Sequence, residues 1–154
     1  MHPNVRAVQD ALESADAHGQ VRILPDAVST AAAAADALGV AVGQIANSLI
    51  FDADGEPLLV LTSGAHRVDT AKVAHLVGAT MISRATPAFV REHTGQAIGG
   101  VAPLGHPKPV QTLVDVALGA FDEVWAAGGI PHAVFPTTFD ELVRVTAGTA
   151  AEVA

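Results

Sequence analysis

The sequence has no cysteine and no tyrosine, and only one tryptophan and five phenylalanines among 154 residues. Without cysteine there are no disulfide staples, no thiolate metal sites and no cysteine nucleophile, and nothing calls for an oxidising compartment. Cations are also scarce. Eight Lys and Arg, of which only Lys72 and Lys108 are lysine, stand against sixteen Asp and Glu, for a formal net charge of −8. Such a surface repels a phosphate backbone on average, which disfavours tight nonspecific nucleic-acid binding but leaves room for a local basic patch. No apolar run approaches the roughly 18 residues of a membrane span. Met1-His2-Pro3-Asn4 does not open a basic-then-apolar signal sequence. A cytoplasmic protein without membrane contact is expected.

What is present is a core of small and branched aliphatics. Half of the residues are hydrophobic, 31 are alanine and 16% are charged, which is far from a disordered composition. A chain of this length buries roughly two thirds of its unfolded surface, and no linker or repeat divides it, so one domain over residues 1–154 is expected.

Apolar positions Val5, Val8, Leu12 and Ala15 predict a helix from Asn4 to Ala17, stopped by Gly19. Val21–Leu24 reads as a strand ended by Pro25. Ser29 or Thr30 caps an Ala-rich helix that stops at Gly39. Ile45–Phe51 and Leu58–Thr62 form a hairpin around Asp52-Ala53-Asp54-Gly55, whose Asp-Gly pair tolerates positive φ. A helix from Asp69 to Val77 ends at Gly78, a short strand lies near Met81-Ile82, and Thr86-Pro87 starts a helix that stops at Gly95. Strands follow at Val110–Val114, Glu123–Ala127 and Ala133–Phe135, and Thr138 with Glu141 forms a capping box for a last helix. The pattern predicts an α/β (α+β) fold, a single mixed β-sheet flanked by helices.

Between Gly95 and Pro109 the chain carries four Gly and three Pro, so an ordered, constrained loop is expected there. Its Gly99-Gly100-Val101-Ala102-Pro103-Leu104-Gly105 stretch lacks both G-x-G-x-x-G spacing and a Gly-Lys-Ser/Thr ending, so nucleotide triphosphate chemistry has no support. Such a loop can expose fixed N–H dipoles to a carboxylate or an ester oxyanion; equally, it can be a rigid surface loop. None of the seven histidines, His2, His18, His66, His75, His93, His106 and His132, falls in a tight metal-ligand pattern, and no metal or other cofactor is expected. His106 and His132 sit beside Gly and Pro in loops and carry more weight than His75 and His93 on helices. Neither Ser48 nor Ser63, which precedes Gly64, lies in a Gly-x-Ser-x-Gly elbow.

The ordered set Leu38-Gly39-Val40, Gln44 to Phe51, Arg67-Val68-Asp69, Gly99 to Gly105 and Phe121-Asp122-Glu123-Val124 resembles the YbaK/ProX-type aminoacyl-tRNA editing domain, also found inserted in bacterial prolyl-tRNA synthetases. The likeness runs from about Leu12 to Val153, and Gly99-x-x-x-Pro103 is its most specific part. It implies a mixed sheet flanked by helices, no metal, and hydrolysis of the ester joining a wrong amino acid, often Ala or Cys, to proline tRNA.

It also implies that the tRNA 3′ end enters a cleft beside the loop. Gly99, Gly100, Val101, Ala102 and Pro103 would then position the ester carbonyl, with Pro103, Gly105 and His106 contacting the substrate. A second turn, Gly128-Gly129-Ile130-Pro131-His132, would line the same cleft. Thr62, Ser63, Gly64, His66 and Arg67 at the end of a strand would face it, with Ser48 inside the hairpin. Members of the family commonly carry Lys where this chain has Asn47, so Asn47 is the expected catalytic position with the charge removed.

Three readings follow. The first is a freestanding deacylase acting on the 3′ end of a mischarged tRNA, with a synthetase as a further partner, in which Arg67, Arg84, Lys72 or Lys108 meets phosphate. The second is a noncatalytic module binding an aminoacyl or nucleotide-like ligand. The third is a hydrolase with Ser48 or Ser63 as nucleophile.

Overall fold

Short polar side chains start the helices of the computed structural model, which describes residues 1–154. Helix α1 (Pro3–Ser14) is capped by the His2 ring. Thr30, Asp69, Thr86 and Thr138 cap α2 (Ala31–Leu38), α3 (Thr70–Val77), α4 (Pro87–Thr94) and α5 (Phe139–Thr146) by accepting a first-turn N–H. Gly39, Gly78 and Gly95 close α2, α3 and α4 in the left-handed conformation.

Two local expectations change. Helix α1 ends at Ser14, short of Ala17, because Asp16 takes φ 55° and the Ala17 N–H returns to the Leu12 carbonyl at 2.9 Å, so Gly19 is not its stop. The capping box of α5 is only half made. Thr138 Oγ1 accepts the Glu141 N–H, but the Glu141 carboxylate accepts instead from Thr137 Oγ1 at 2.8 Å and the His18 N–H at 3.2 Å.

Eight strands form a single mixed sheet: β1 (Arg22–Ile23), β2 (Ile45–Ala53), β3 (Glu56–Ser63), β4 (Ile82–Arg84), β5 (Gln111–Asp115), β6 (Val124–Ala127), β7 (Ala133–Thr137) and β8 (Thr149–Ala151). Their order is β1-β7-β6-β2-β3-β5-β8, and β4 pairs with the far end of β2. β2 and β3 form the predicted hairpin, with Asp54 at φ 53° and Gly55 at φ 93° in its two-residue turn. The β2–β6, β3–β5 and β5–β8 pairs are parallel.

Side-chain alternation gives the sheet two buried faces. Ala46 and Ile50 of β2 join a 17-residue cluster with Val8 and Leu12 of α1, Val90 of α4 and Leu142 of α5. Residues of opposite parity pack on the other helices: Phe51 with Val73 of α3, and Ile45 with Ala34 and Ala35 of α2. No helix is long and apolar enough to cross a membrane.

The sheet is split beside β2. The β2–β6 ladder stops after Ile45↔Trp125 and Ala46↔Ala126, and β4 joins only from Phe51 to Ala53. No strand covers Asn47–Ile50 on that side. The Gly64 N–H donates to the Ile45 carbonyl at 2.8 Å, so odd-numbered β2 residues direct their main chain toward β3. By alternation, the main chain of Ser48 faces the gap.

Candidate functional site

A cleft of about 260 Å³ occupies this gap. That is at the small end for ligand sites, which run from roughly 300 Å³ upward. Its walls are the Val28–Ala31 approach to α2, the Ile45–Leu49 edge, Arg84, the loop residues Ile98, Gly99 and Val101, Trp125 to Ala127, and Pro131, Ala133 and Val134.

Glycine lets three of these segments meet. The Val28 N–H donates to the Pro131 carbonyl at 2.8 Å. A β-carbon on Gly99 would lie 3.3 Å from Ser29 Cβ, and one on Gly100 would lie 2.6 Å from the Ile130 carbonyl carbon. The two glycine-rich turns read from the sequence thus pack directly against each other.

The loop amides divide into two sets. The Gly100 N–H donates to the Ala97 carbonyl at 3.0 Å and the Ala102 N–H to Gln96 Oε1 at 2.8 Å, so neither is free for a ligand. The expectation that all four amides serve a ligand is corrected accordingly. Gly99 and Val101 line the cleft, and their N–H groups have no acceptor within the chain. Pro103 has no N–H to offer.

His106 and the buried Gln96 hold Ala102 from both sides. Because a carbonyl only accepts, His106 Nε2 carries the proton and donates to the Ala102 carbonyl at 2.7 Å. Burial pushes the His106 pKa below its usual value, and this hydrogen bond offsets part of the effect. His106 is therefore a brace inside the loop, turned away from the substrate-contacting role expected of it.

Polar side chains in the cleft are few, and apart from Thr30, which caps α2, they have no hydrogen-bond partner in the chain. The half-buried Asn47 side chain makes no hydrogen bond to another residue. Ser48 Oγ and Trp125 Nε1 are the two buried side-chain polar atoms without a partner, and both residues line the cleft. Buried polar atoms are normally satisfied, so their concentration here marks a place where polarity is not used for folding. The Arg22 guanidinium lies 5.0 Å from the centre of the Trp125 ring. Arg84 is the one charged residue in the lining, which contains no His, Asp, Glu or Lys.

Several expected site residues lie elsewhere. Thr62, Ser63 and His66 were expected to face the cleft, but β3 runs on the opposite side of β2 from the gap, and they gather around the buried Asp115. Its Oδ2 lies 2.9 Å from His66 Nδ1, 3.0 Å from the Ser63 N–H and 3.3 Å from Thr62 Oγ1. Ser63 Oγ donates to the Gly43 carbonyl at 2.9 Å, and no histidine is hydrogen-bonded to Ser48 or Ser63, so neither serine has the adjacent base that activates a nucleophile. Gly64 backs the cleft from behind: a β-carbon there would lie 2.8 Å from Ala31 Cβ.

Arg67 and His132 are exposed and outside the lining. Gly128 and Gly129 are buried beneath it, Gly129 against Asn4 of α1 and Gly105 against Ala7 and Val8. Of the expected residues, Asn47, Ser48, Gly99, Val101 and Pro131 meet around the cleft.

Sequence reasoning missed Gln96, Asp115, Trp125 and the Ser29–Thr30 wall. A glutamine near the start of a Gly-Pro loop carries no signal of its own, and Trp125 reads as an ordinary strand residue. Asp115 is the exception, since an acidic residue directly after an apolar strand is a recognisable strand-end partner.

Residues 25–145 match the aminoacyl-tRNA editing domain family. The chain is 34% identical over 117 residues to the uncharacterized protein YwhH of Bacillus subtilis (strain 168), covering 74% of this chain and 73% of that one. It is 33% identical over 111 residues to the proline–tRNA ligase of Bacillus licheniformis, covering 72% of this chain but only 19% of the ligase. A crystal structure described as a candidate trans-editing enzyme for prolyl tRNA synthetase superposes with a TM-score of 0.92 at 44% identity, covering 99% of this chain and 98% of the other. The split sheet, the paired glycine turns and these likenesses agree: the chain belongs to the aminoacyl-tRNA editing domain family.

Proposed function

We propose that this protein hydrolyses the ester linking a small, wrongly attached amino acid to the 3′ end of a tRNA, with alanine or cysteine on proline tRNA as the substrate class. The observation that carries the reading is the pair of unengaged N–H groups, on Gly99 and Val101, in residues that line the same cleft as Asn47.

An aminoacyl ester is already activated, so hydrolysis requires mainly a placed water and a stabilised oxyanion. The Gly99 and Val101 amides hold the carbonyl oxygen as it gains charge, and the Asn47 carboxamide orients the ester or the water. Water oxygen bonds to the carbonyl carbon, the ester C–O bond breaks, and a proton from that water ends on the departing ribose oxygen. The products are the free amino acid and the uncharged tRNA 3′ end. The lining supplies no side-chain acid or base, so the proton moves through water or the substrate's own hydroxyl groups.

The same absence of an acid or base favours a second reading, a noncatalytic module that retains the cleft for an aminoacyl or nucleotide-like ligand. Deacylation of alanylated, cysteinylated and serylated proline tRNA by the wild type, Asn47→Ala, Asn47→Lys and Gly100→Ala separates the two. Turnover that falls in Asn47→Ala and Gly100→Ala supports the hydrolase. A folded wild type that releases no amino acid from any of these esters rejects it.

A further inference from the structure

We infer that Arg84 is the phosphate anchor of the cleft, holding an internucleotide phosphate of the RNA 3′ strand whose last nucleotide enters the gap. This rests on the reading above for the identity of the strand.

Arg84 is the only charged residue lining the cleft, on a chain whose formal net charge is −8. Over most of that surface an approaching phosphate is repelled, and here it meets a guanidinium with no carboxylate in the same wall.

The guanidinium is also free. The four ion pairs of the protein involve His66, Lys72, His93 and Arg144, none of them with Arg84, and Arg84 donates no side-chain hydrogen bond. The acidic residues nearest along the adjoining β2 turn are engaged by main-chain amides. Asp52 accepts from the Gly55 N–H at 2.7 Å, and Asp54 from the Thr80 and Met81 N–H groups at 2.7 and 2.9 Å.

Other cations are placed differently. Lys72 donates to the Ala154 carbonyl at 3.0 Å, and Arg67 and Lys108 do not line the cleft.

Position completes the case. Arg84 pairs with Phe51, where β4 closes the far end of the gap. Phe51 lies four residues beyond Asn47 on β2, roughly 13 Å along a strand rising about 3.3 Å per residue. A strand whose terminal ester sits by Asn47 and Gly99 passes Arg84 on its way out, and the planar guanidinium fork suits a phosphodiester.

The test is equilibrium binding of a fluorescent RNA oligonucleotide ending in CCA and carrying no amino acid to the wild type, Arg84→Ala, Arg84→Lys and Arg91→Ala across a salt series. AMP and inorganic phosphate serve as competitors. Arg84→Ala weakens RNA binding about tenfold and lowers the slope of log affinity against log salt by about 0.7, the contribution of one phosphate contact on a single strand. Arg84→Lys keeps the slope, and Arg91→Ala, on the exposed side of α4, changes neither. Matching melting curves establish that the exposed Arg84 variants are folded.

Wild-type affinity and slope in Arg84→Ala, or no RNA binding by the wild type, overturns the anchor. Competition by AMP or phosphate at concentrations similar to the RNA overturns the assignment to a strand and points to a free anion. Because the oligonucleotide carries no ester, the outcome does not depend on catalysis: Arg84-dependent binding by a protein that deacylates nothing rejects the hydrolase and keeps the anchor.

Discussion

Gly100 packs so closely on Ile130 that a β-carbon on the glycine would stand 2.6 Å from the isoleucine carbonyl carbon and 2.8 Å from the Pro131 nitrogen. Both obstacles are main chain, so the contact cannot be relieved by a side-chain rotation. Gly100→Ala therefore forces the two turns apart. We expect a loss of about 1–3 kcal/mol in urea unfolding, the usual cost of overpacking, together with loss of deacylation. An alanine variant with wild-type stability and turnover would show that the turns need not touch.

Gln96 makes a second, separable contribution. It is 2% exposed, and its Oε1 takes the Ala102 N–H. Gln96→Ala leaves that buried donor without a partner, so stability should fall by about 1–3 kcal/mol in denaturant titration. An unchanged unfolding midpoint would mean that the amide finds another acceptor.

His106 gives the loop a pH dependence. Its folded pKa lies below the ordinary 6.5, first because burial disfavours the imidazolium, with the Ala102 hydrogen bond opposing. The unfolded chain therefore takes up this proton first as pH falls. The stability contributed by neutral His106 is complete above pH 6.5 and declines as acid brings the pH down through the folded value. Melting temperatures measured from about pH 7.5 down to about pH 5 should fall less steeply for His106→Gln than for the wild type. Parallel curves would remove His106 from the acid response.

Ser48 separates folding from function. Its buried hydroxyl has no partner, so Ser48→Ala removes a desolvated polar group at the expense of no hydrogen bond. Stability should hold or rise by about 1 kcal/mol. If the hydroxyl instead contacts substrate, the same variant loses turnover while melting at or above the wild-type temperature. A marked drop in melting temperature would reveal an internal partner for the hydroxyl.

Helix caps and the hairpin were readable in the sequence because their causes are local. Thr30, Asp69 and Thr86 cap their own first turns, and Asp54-Gly55 closes its own hairpin. Where tertiary contacts decide, local reading failed. β8, a Thr-Ala-Ala segment without an apolar pattern, exists because it pairs with β5, whereas the turn at Asp16 that ends α1 is closed locally, by the Ala17 N–H on the Leu12 carbonyl, at a residue type that gives a weaker stop signal than Gly19. The same divide holds at the site. The Gly-Pro loop declared itself by composition, but the fate of each N–H depended on Gln96 and Ala97, and the displacement of Thr62, Ser63 and His66 followed from which edge of β2 faces β3. Arg84 entered the cleft through the pairing of β4 with β2, which no spacing in the chain announces.

The most direct test is a ¹⁵N-¹H NMR titration with a nonhydrolysable alanyl-adenosine in which an amide replaces the ester. The Gly99 and Val101 resonances should shift together with the Asn47 side-chain amide, while those of Ala102 and His66 stay in place. Saturable binding that leaves Gly99 and Val101 unmoved would contradict the account.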